Sequence, residues 1–197
     1  IYCNRDSYQY GFITSPFWSD IDWYNEKEYR KIMIELKKIV EDTHISDEMT
    51  AQEKAYRLGR YLAKYINYYL PTHEQTIYGT LFNKQSVCGG YSHTYATLCR
   101  YVGLECDYVA SDEILNHAWN IIKLGDYWYS VDITAAHGLR NYKEITIEFF
   151  REWDYVGEKA WSHLREKYRT SEYRSTHPID TMSYNMRCKQ EGIPYLT

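Results

Sequence analysis

The chain has 197 residues, one domain's worth against roughly 100–200 residues per domain and enough to bury a core. Lys and Arg number 23 against 27 Asp and Glu, a net charge of −4, the wrong sign for gripping a phosphate backbone, so nucleic acid is excluded as a favoured partner. Apolar types at 44% and aromatics at 17% rule out disorder, and no apolar run approaches the ~20 residues that span a bilayer.

No repeat, Pro-rich linker or low-complexity stretch divides the chain, so one domain over 1–197 is expected. After an aromatic-rich entry containing Trp18 and Trp23, which could lie over a cleft as a lid, Tyr29, Ile32, Leu36, Ile39 and Val40 recur at helical spacing. They predict a helix from about Glu26 to Asp42. Thr50-Ala51-Gln52-Glu53 is a capping box, in which hydroxyl and carboxylate each satisfy a free backbone N–H. The stripe Ala55, Leu58, Leu62, Tyr65, Ile66 and Tyr69 behind it predicts a second helix ending before Pro71. Tyr91, Tyr95, Leu98 and Val102, closed by Gly103, predict a third helix with Cys88 at its N-terminus.

Strands are expected at Glu105–Ala110, His117–Leu124 and Tyr127–Thr134, the last two joined by a Gly125-Asp126 hairpin turn. Helices followed by an antiparallel sheet make an α+β order. Ile145–Phe150 reads as strand or helix, Glu158–Tyr168 as a helix with a solvated Arg and Glu face, and the stretch from Arg169 as largely irregular.

Cys88 is followed by Gly89-Gly90, which lets backbone approach a ligand closely, and a helix N-terminus offers it unpaired N–H groups and the positive end of the dipole. Both favour thiolate over thiol, which at its ordinary pKa near 8.5 is only a few per cent ionised at neutral pH. The partner is sought among the seven histidines. With a two-residue turn, Leu124 opposes Tyr127; counting outward, His117 faces Thr134 and Trp119 faces Asp132. His117 and Asp132 then share a sheet face as diagonal neighbours roughly 7 Å apart at Cβ, within reach of each other's side chains. A three-residue turn would put Asp132 on the opposite face. In the even register Asp132 can hold the His117 tautomer while the other ring nitrogen faces Cys88.

Val87-Cys88-Gly89-Gly90-Tyr91-Ser92, Asn116-His117-Ala118-Trp119-Asn120 and Trp128-Tyr129-Ser130-Val131-Asp132-Ile133-Thr134, in that order, resemble the core of the transglutaminase-like superfamily. The resemblance covers about 50–134. It implies a papain-like α+β fold with Cys88 as nucleophile, His117 as general base and acid, and Asp132 as the residue that orients it. A Trp that often follows the Asp-x-Thr step in the family is replaced here by Ala135-Ala136-His137. The sequence shows no calcium-site cluster of carboxylates, which separates the chain from calcium-activated crosslinking enzymes of animal type.

The implied reaction is acyl transfer from a protein or peptide amide: hydrolysis with water as acceptor, crosslinking with lysine. A binding or scaffold module displaying a Tyr-rich surface is the non-catalytic alternative. The Cys88 backbone N–H is the natural first oxyanion donor, with Gln85 and Tyr78 upstream as candidates for a second. Trp119, Tyr91 and Trp128 are expected to pack around the site, Trp119 with a part in binding substrate. Cys88 and His93 stand about 140° apart around a helix and do not converge on an ion, so no metal and no cofactor are expected. His44, His73, His163 and His177 read as surface or turn residues.

Five cysteines, Cys3, Cys88, Cys99, Cys106 and Cys188, fit either one working thiol plus up to two bridges or five free thiols in a reducing cell. Cys3 with Cys188 would tie the ends, and Cys99 with Cys106 would close a short loop. Ile1 is not an initiator Met, which fits an expressed fragment or a mature product. The balance leans to an extracellular or cell-surface protein over a cytoplasmic one.

Overall fold

The computed structural model describes residues 24–111, 116–134 and 156–194. Four helices precede the sheet: α1 (Glu26–Asp42), α2 (Ala51–Tyr65), α3 (Ile77–Asn83) and α4 (Cys88–Tyr101). Asn25 with Glu28 and Thr50 with Glu53 close capping boxes on α1 and α2, so both starts are fixed by local hydrogen bonds. At the far end of α4, Gly103 takes φ 85°, a left-handed conformation that suits glycine as a helix stop. Between α2 and α4 a short parallel pair forms from β1 (Asn67–Tyr68) and β2 (Gln85–Ser86). Neither that pair nor α3 is visible in hydrophobic periodicity, because each is too short to repeat a pattern.

The main sheet is antiparallel, in the order β3 (Cys106–Ser111), β4 (His117–Leu124), β5 (Tyr127–Val131). Its hairpin pairs Leu124 with Tyr127 and Asn120 with Val131, the even register expected from the two-residue turn. One face carries Cys106, Ile122, Tyr129 and Val131 into a core shared with α1, α2 and α4. The other presents Val109, Trp119, Ile121 and Trp128 to Trp161, Leu164, Tyr168 and Tyr173 from the C-terminal part of the chain.

That C-terminal part departs from expectation. The helix foreseen over Glu158–Tyr168 is α5 (Gly157–His163) followed by a separate 3-10 turn at Glu166–Tyr168. The stretch from Arg169 is ordered, with α6 (Ser171–Thr176) and α7 (Tyr184–Glu191) capped by the hydroxyls of Thr170 and Ser183. Both helices have two turns or fewer, too few for a stripe, and packing on the sheet decides them. His177, read from sequence as a surface residue, is buried, with Nε2 3.3 Å from the Asp107 carboxylate and its ring stacked 3.9 Å from that of Tyr173. Asp107 also takes Arg100 at 2.5 Å. A buried carboxylate retained with two cationic or polar partners locks the segment to β3. Pro178 and Asp180 exchange backbone hydrogen bonds with Trp128, at 3.0 and 3.2 Å, along the outer edge of β5.

Cys99, Cys106 and Cys188 are free thiols, so the bridge considered between Cys99 and Cys106 is not formed. Burial, and then the adjoining Cys99, push the Cys106 thiol well up, which keeps it protonated and inert. Cys3, the Trp18 and Trp23 lid and Ile145–Phe150 lie outside the described residues.

The glycine pair after Cys88 is required by contact. A Cβ on Gly90 would stand 2.0 Å from Ser86 Oγ, 2.4 Å from Thr80 Oγ1 and 3.0 Å from the Glu74 carbonyl oxygen. Gly90→Ala is therefore expected to lower stability by about 1–3 kcal/mol through overpacking, read as a lower urea midpoint at unchanged slope; an unchanged midpoint would mean that α3, β2 and α4 are not in close contact.

Candidate active site

Each of three side chains is delivered by a different element. Cys88 opens α4, whose N-cap Val87 supplies no side-chain hydrogen bond and whose first turn has no acidic residue. Its N-terminal N–H groups and dipole are thus left for the thiol. The turn leading into α4 is held by Glu74, whose carbonyl accepts from Val87 N–H at 3.1 Å and from Ser86 Oγ at 2.9 Å. The start of the second turn is anchored to the sheet by Asn120, whose Nδ2 donates to the Ser92 carbonyl at 2.9 Å and to the Asp107 carbonyl at 3.2 Å.

His117 begins β4 and Asp132 directly follows β5, on the shared face that the register dictates. His117 Nε2 lies 2.9 Å from Asp132 Oδ2. Asp132 is itself tied down: Thr134 donates to Oδ1 from its backbone N–H at 3.0 Å and from Oγ1 at 2.6 Å. One carboxylate oxygen is consumed by the strand-end turn and the other is left for the imidazole, so the ring is oriented by a group that cannot swing. With Nε2 engaged by Asp132, Nδ1 remains for the hydrogen bond between His117 and the Cys88 thiol.

The electrostatics follow from these contacts. Burial pushes the Cys88 thiol up, but hydrogen bonds from His117 and from the backbone N–H groups of Ala118 and Gly89, with the imidazole's charge, outweigh it and hold the thiol below its ordinary value. Burial pulls His117 down, and the hydrogen bonds and charges of Asp132 and Cys88 reverse this and raise it to about 9. The thiol is thereby the stronger acid of the two, and the arrangement favours a thiolate beside an imidazolium. Cys88 is half-buried, so reagents can reach it.

The remaining candidates separate. Trp119 is buried and stacked 6.0 Å from the His117 ring at 22°, forming a wall of the site. The Tyr78 hydroxyl is taken by Lys31 Nζ of α1 at 3.1 Å rather than by a member of the constellation. Gln85 is solvent-exposed on β2. Two other residues come near Cys88 instead. The Gln75 carboxamide oxygen would be 2.6 Å from a Cβ on Gly89, and burial, then the charges of Cys88 and Asp132, push the Tyr68 phenol up. Neither carries a sequence signal, since each is brought in by a short loop or a two-residue strand. Among the described residues no cluster of His, Cys, Asp or Glu could hold a metal ion, and no helix is long and apolar enough to cross a membrane.

The family described as the transglutaminase-like superfamily matches residues 38–133. Among solved structures, the chain is similar to a TGase at 16% identity and a TM-score of 0.50, over 56% of this chain and 33% of that one. It is also similar, at 17% identity and a TM-score of 0.44, to a Cytophaga hutchinsonii protein provisionally described as a cysteine protease, over 62% of this chain and 46% of that one. At such identity the first likeness shows the fold alone. This chain spans less than half the length of either. No curated protein matches it.

Iodoacetamide at pH 6 should label Cys88 selectively, and His117→Ala should slow that labelling at least about tenfold by returning the thiol to a largely protonated state. Asp132→Asn should slow it in the same direction by lowering the imidazolium's pKa. Site-resolved mass spectrometry of the alkylated chain checks both; equal rates in all three proteins would mean that the thiol is not activated by this array.

Proposed function

Residues 38–133 belong to the transglutaminase-like superfamily, and from that premise we propose that the chain is a cysteine protease or amidase, transferring the acyl group of a protein or peptide amide to water. The observation that carries this reading is the hydrogen-bonded series of Cys88, His117 and Asp132, with the thiol lowered and the imidazole raised to about 9.

In the acylation step the Cys88 thiolate attacks the carbonyl carbon, forming the Sγ–C bond while the π electrons move to oxygen. As the tetrahedral centre collapses, the C–N bond breaks and His117 gives its proton to the departing amine. Neutral His117 then takes a proton from water as the water oxygen bonds to the thioester carbon; the tetrahedral centre collapses, the Sγ–C bond breaks with its electron pair returning to sulfur, and the acid product leaves a thiolate beside the imidazolium. Asp132 keeps its charge throughout and stabilises the imidazolium from its fixed position on Thr134. The partial exposure of Cys88 supports water as the acceptor. An amine acceptor would use the same acyl-enzyme and yield a crosslink.

Activity should rise as Cys88 ionises, below the ordinary thiol range, and fall as His117 loses its proton near pH 9, leaving no acid for the amine. Dimethylated casein with and without dansylcadaverine tests both acceptors: new N-termini or released ammonia that vanish in Cys88→Ala support hydrolysis, amine incorporation with no hydrolysis supports crosslinking, and neither product from an alkylatable enzyme would sink both.

A further inference from the structure

Deacylation asks more of His117 than thiol activation does, and this inference rests on the acyl-transfer reading. In the resting pair the imidazolium carries a proton on each ring nitrogen, so no tautomer has to be chosen. In the acyl-enzyme the ring is neutral and keeps a single proton. Nε2 is the nitrogen held by Asp132, at 2.9 Å, which leaves Nδ1 for the reacting atoms. Only the form protonated on Nε2 then has a base to offer the attacking water.

Thr134 settles that choice. Its Oγ1 stands 2.6 Å from Asp132 Oδ1 and 3.4 Å from His117 Nε2, so one hydroxyl touches both partners of the pair. The direction of these bonds follows from what each group can donate. An ionised carboxylate only accepts, and 2.6 Å is the length of a charge-assisted O–H···O⁻ bond, so the single hydroxyl hydrogen is committed to Oδ1. What Thr134 turns toward Nε2 is therefore a lone pair. Nε2 faces two acceptors, Asp132 Oδ2 and Thr134 Oγ1, and their combined pull keeps the ring proton on it. Oδ1 also accepts from the Thr134 backbone N–H at 3.0 Å, a bond that any residue except proline would give at this turn. The hydroxyl is what the side chain adds, and its β-branch restricts χ1 and so holds it in place.

We propose that Thr134 is a positioning residue for deacylation, its hydroxyl fixing the Asp132 carboxylate and, together with it, the Nε2–H form of neutral His117. The water oxygen bonds to the thioester carbon, the water proton passes to Nδ1, and the electron pair of the broken Sγ–C bond returns to sulfur. The protons on Thr134 Oγ1 and His117 Nε2 stay where they are. Thiol activation uses Asp132 differently, through a charge that stabilises the imidazolium over a range of carboxylate orientations and survives the loss of the hydroxyl.

Thr134→Val removes the hydroxyl at nearly constant shape and keeps the backbone N–H, while Thr134→Ser keeps both donors. The probe is p-nitrophenyl acetate, whose leaving group departs without a proton, and intact-mass spectrometry follows the acetyl-enzyme as it forms and decays. Below the urea transition of each variant, Thr134→Val should decay about tenfold more slowly, with acetyl-enzyme formation and iodoacetamide labelling within about threefold of the wild type. Thr134→Ser should bring decay back to within about threefold, the margin left for its freer χ1. Equal losses in formation, decay and labelling would give Thr134 a structural role alone and overturn the proposal. Unchanged decay in Thr134→Val would overturn it too, as would decay in Thr134→Ser as slow as in Thr134→Val. A wild type that labels at Cys88 but never forms the acetyl-enzyme, or never releases it to water, would instead overturn the hydrolytic reading, and this proposal with it.

Discussion

The parity of one hairpin decides whether this molecule can have an active site. Because successive side chains of a strand point to opposite faces, lengthening the Gly125-Asp126 turn by one residue would move Asp132 to the face against α4. The observed pairing of Leu124 with Tyr127 leaves His117 and Asp132 on one face, 2.9 Å apart at their polar atoms. Gly125 adopts φ 68°, a conformation open to glycine at little steric cost, so a backbone property of one turn residue fixes a contact at the far end of both strands. Thr134 completes the arrangement by occupying the carboxylate oxygen that His117 does not use.

Cys88 reaches that pair through a different kind of constraint. Helix α4 must enter the core at full depth while keeping its first residue half-exposed, and it does so over a floor of small residues. Ser86, Thr80 and the Glu74 carbonyl fill the space that a side chain at Gly90 would need, and the Gln75 side chain fills the space at Gly89. Asn120 then bonds the helix backbone to the sheet. Cys88 is held where α4 meets the sheet, and the N-cap Val87 places no side-chain hydrogen bond on the first turn of the helix.

What could be read from sequence follows from the length of the elements. α1 and α2 each run four turns with a capping box, and β4 alternates over eight residues, so periodicity and cap chemistry fix their starts; α2 nevertheless stops at Tyr65, short of the stripe read through Tyr69, because Asn67 and Tyr68 leave the helix to pair with Gln85 and Ser86. The register, and with it the His117–Asp132 pair, follows from a two-residue turn with glycine in it. The β1–β2 pair, α3, α6 and α7 have two to eight residues, too short for a stripe, and tertiary packing decides them. Tyr68 and Gln75 were invisible for that reason: each belongs to such an element, and its place near Cys88 depends on where the chain returns rather than on local pattern. His177 misled for a related cause, since a histidine in a polar stretch gives no sign that Asp107, seventy residues earlier, waits to receive it.

That distant pairing gives the C-terminal segment a mechanical part in the site. Trp119 forms one wall of the site, and its indole belongs to the core on the sheet face opposite α4, closed by Trp161, Leu164 and Tyr173. Asp107 on the same face holds both the segment, through His177, and the end of α4, through Arg100. A change in how the segment seats on the sheet would therefore be felt at both edges of the site: at Trp119, against which His117 stacks, and along α4, whose first residue is Cys88. The core matched by the family ends at residue 133, one residue past Asp132, yet among the described residues the sheet that carries His117 has one face covered by residues beyond that point. Cys88, His117 and Asp132 sit within the stretch that the family matches, while the Trp119 wall beside His117 is packed by the part of the chain outside it.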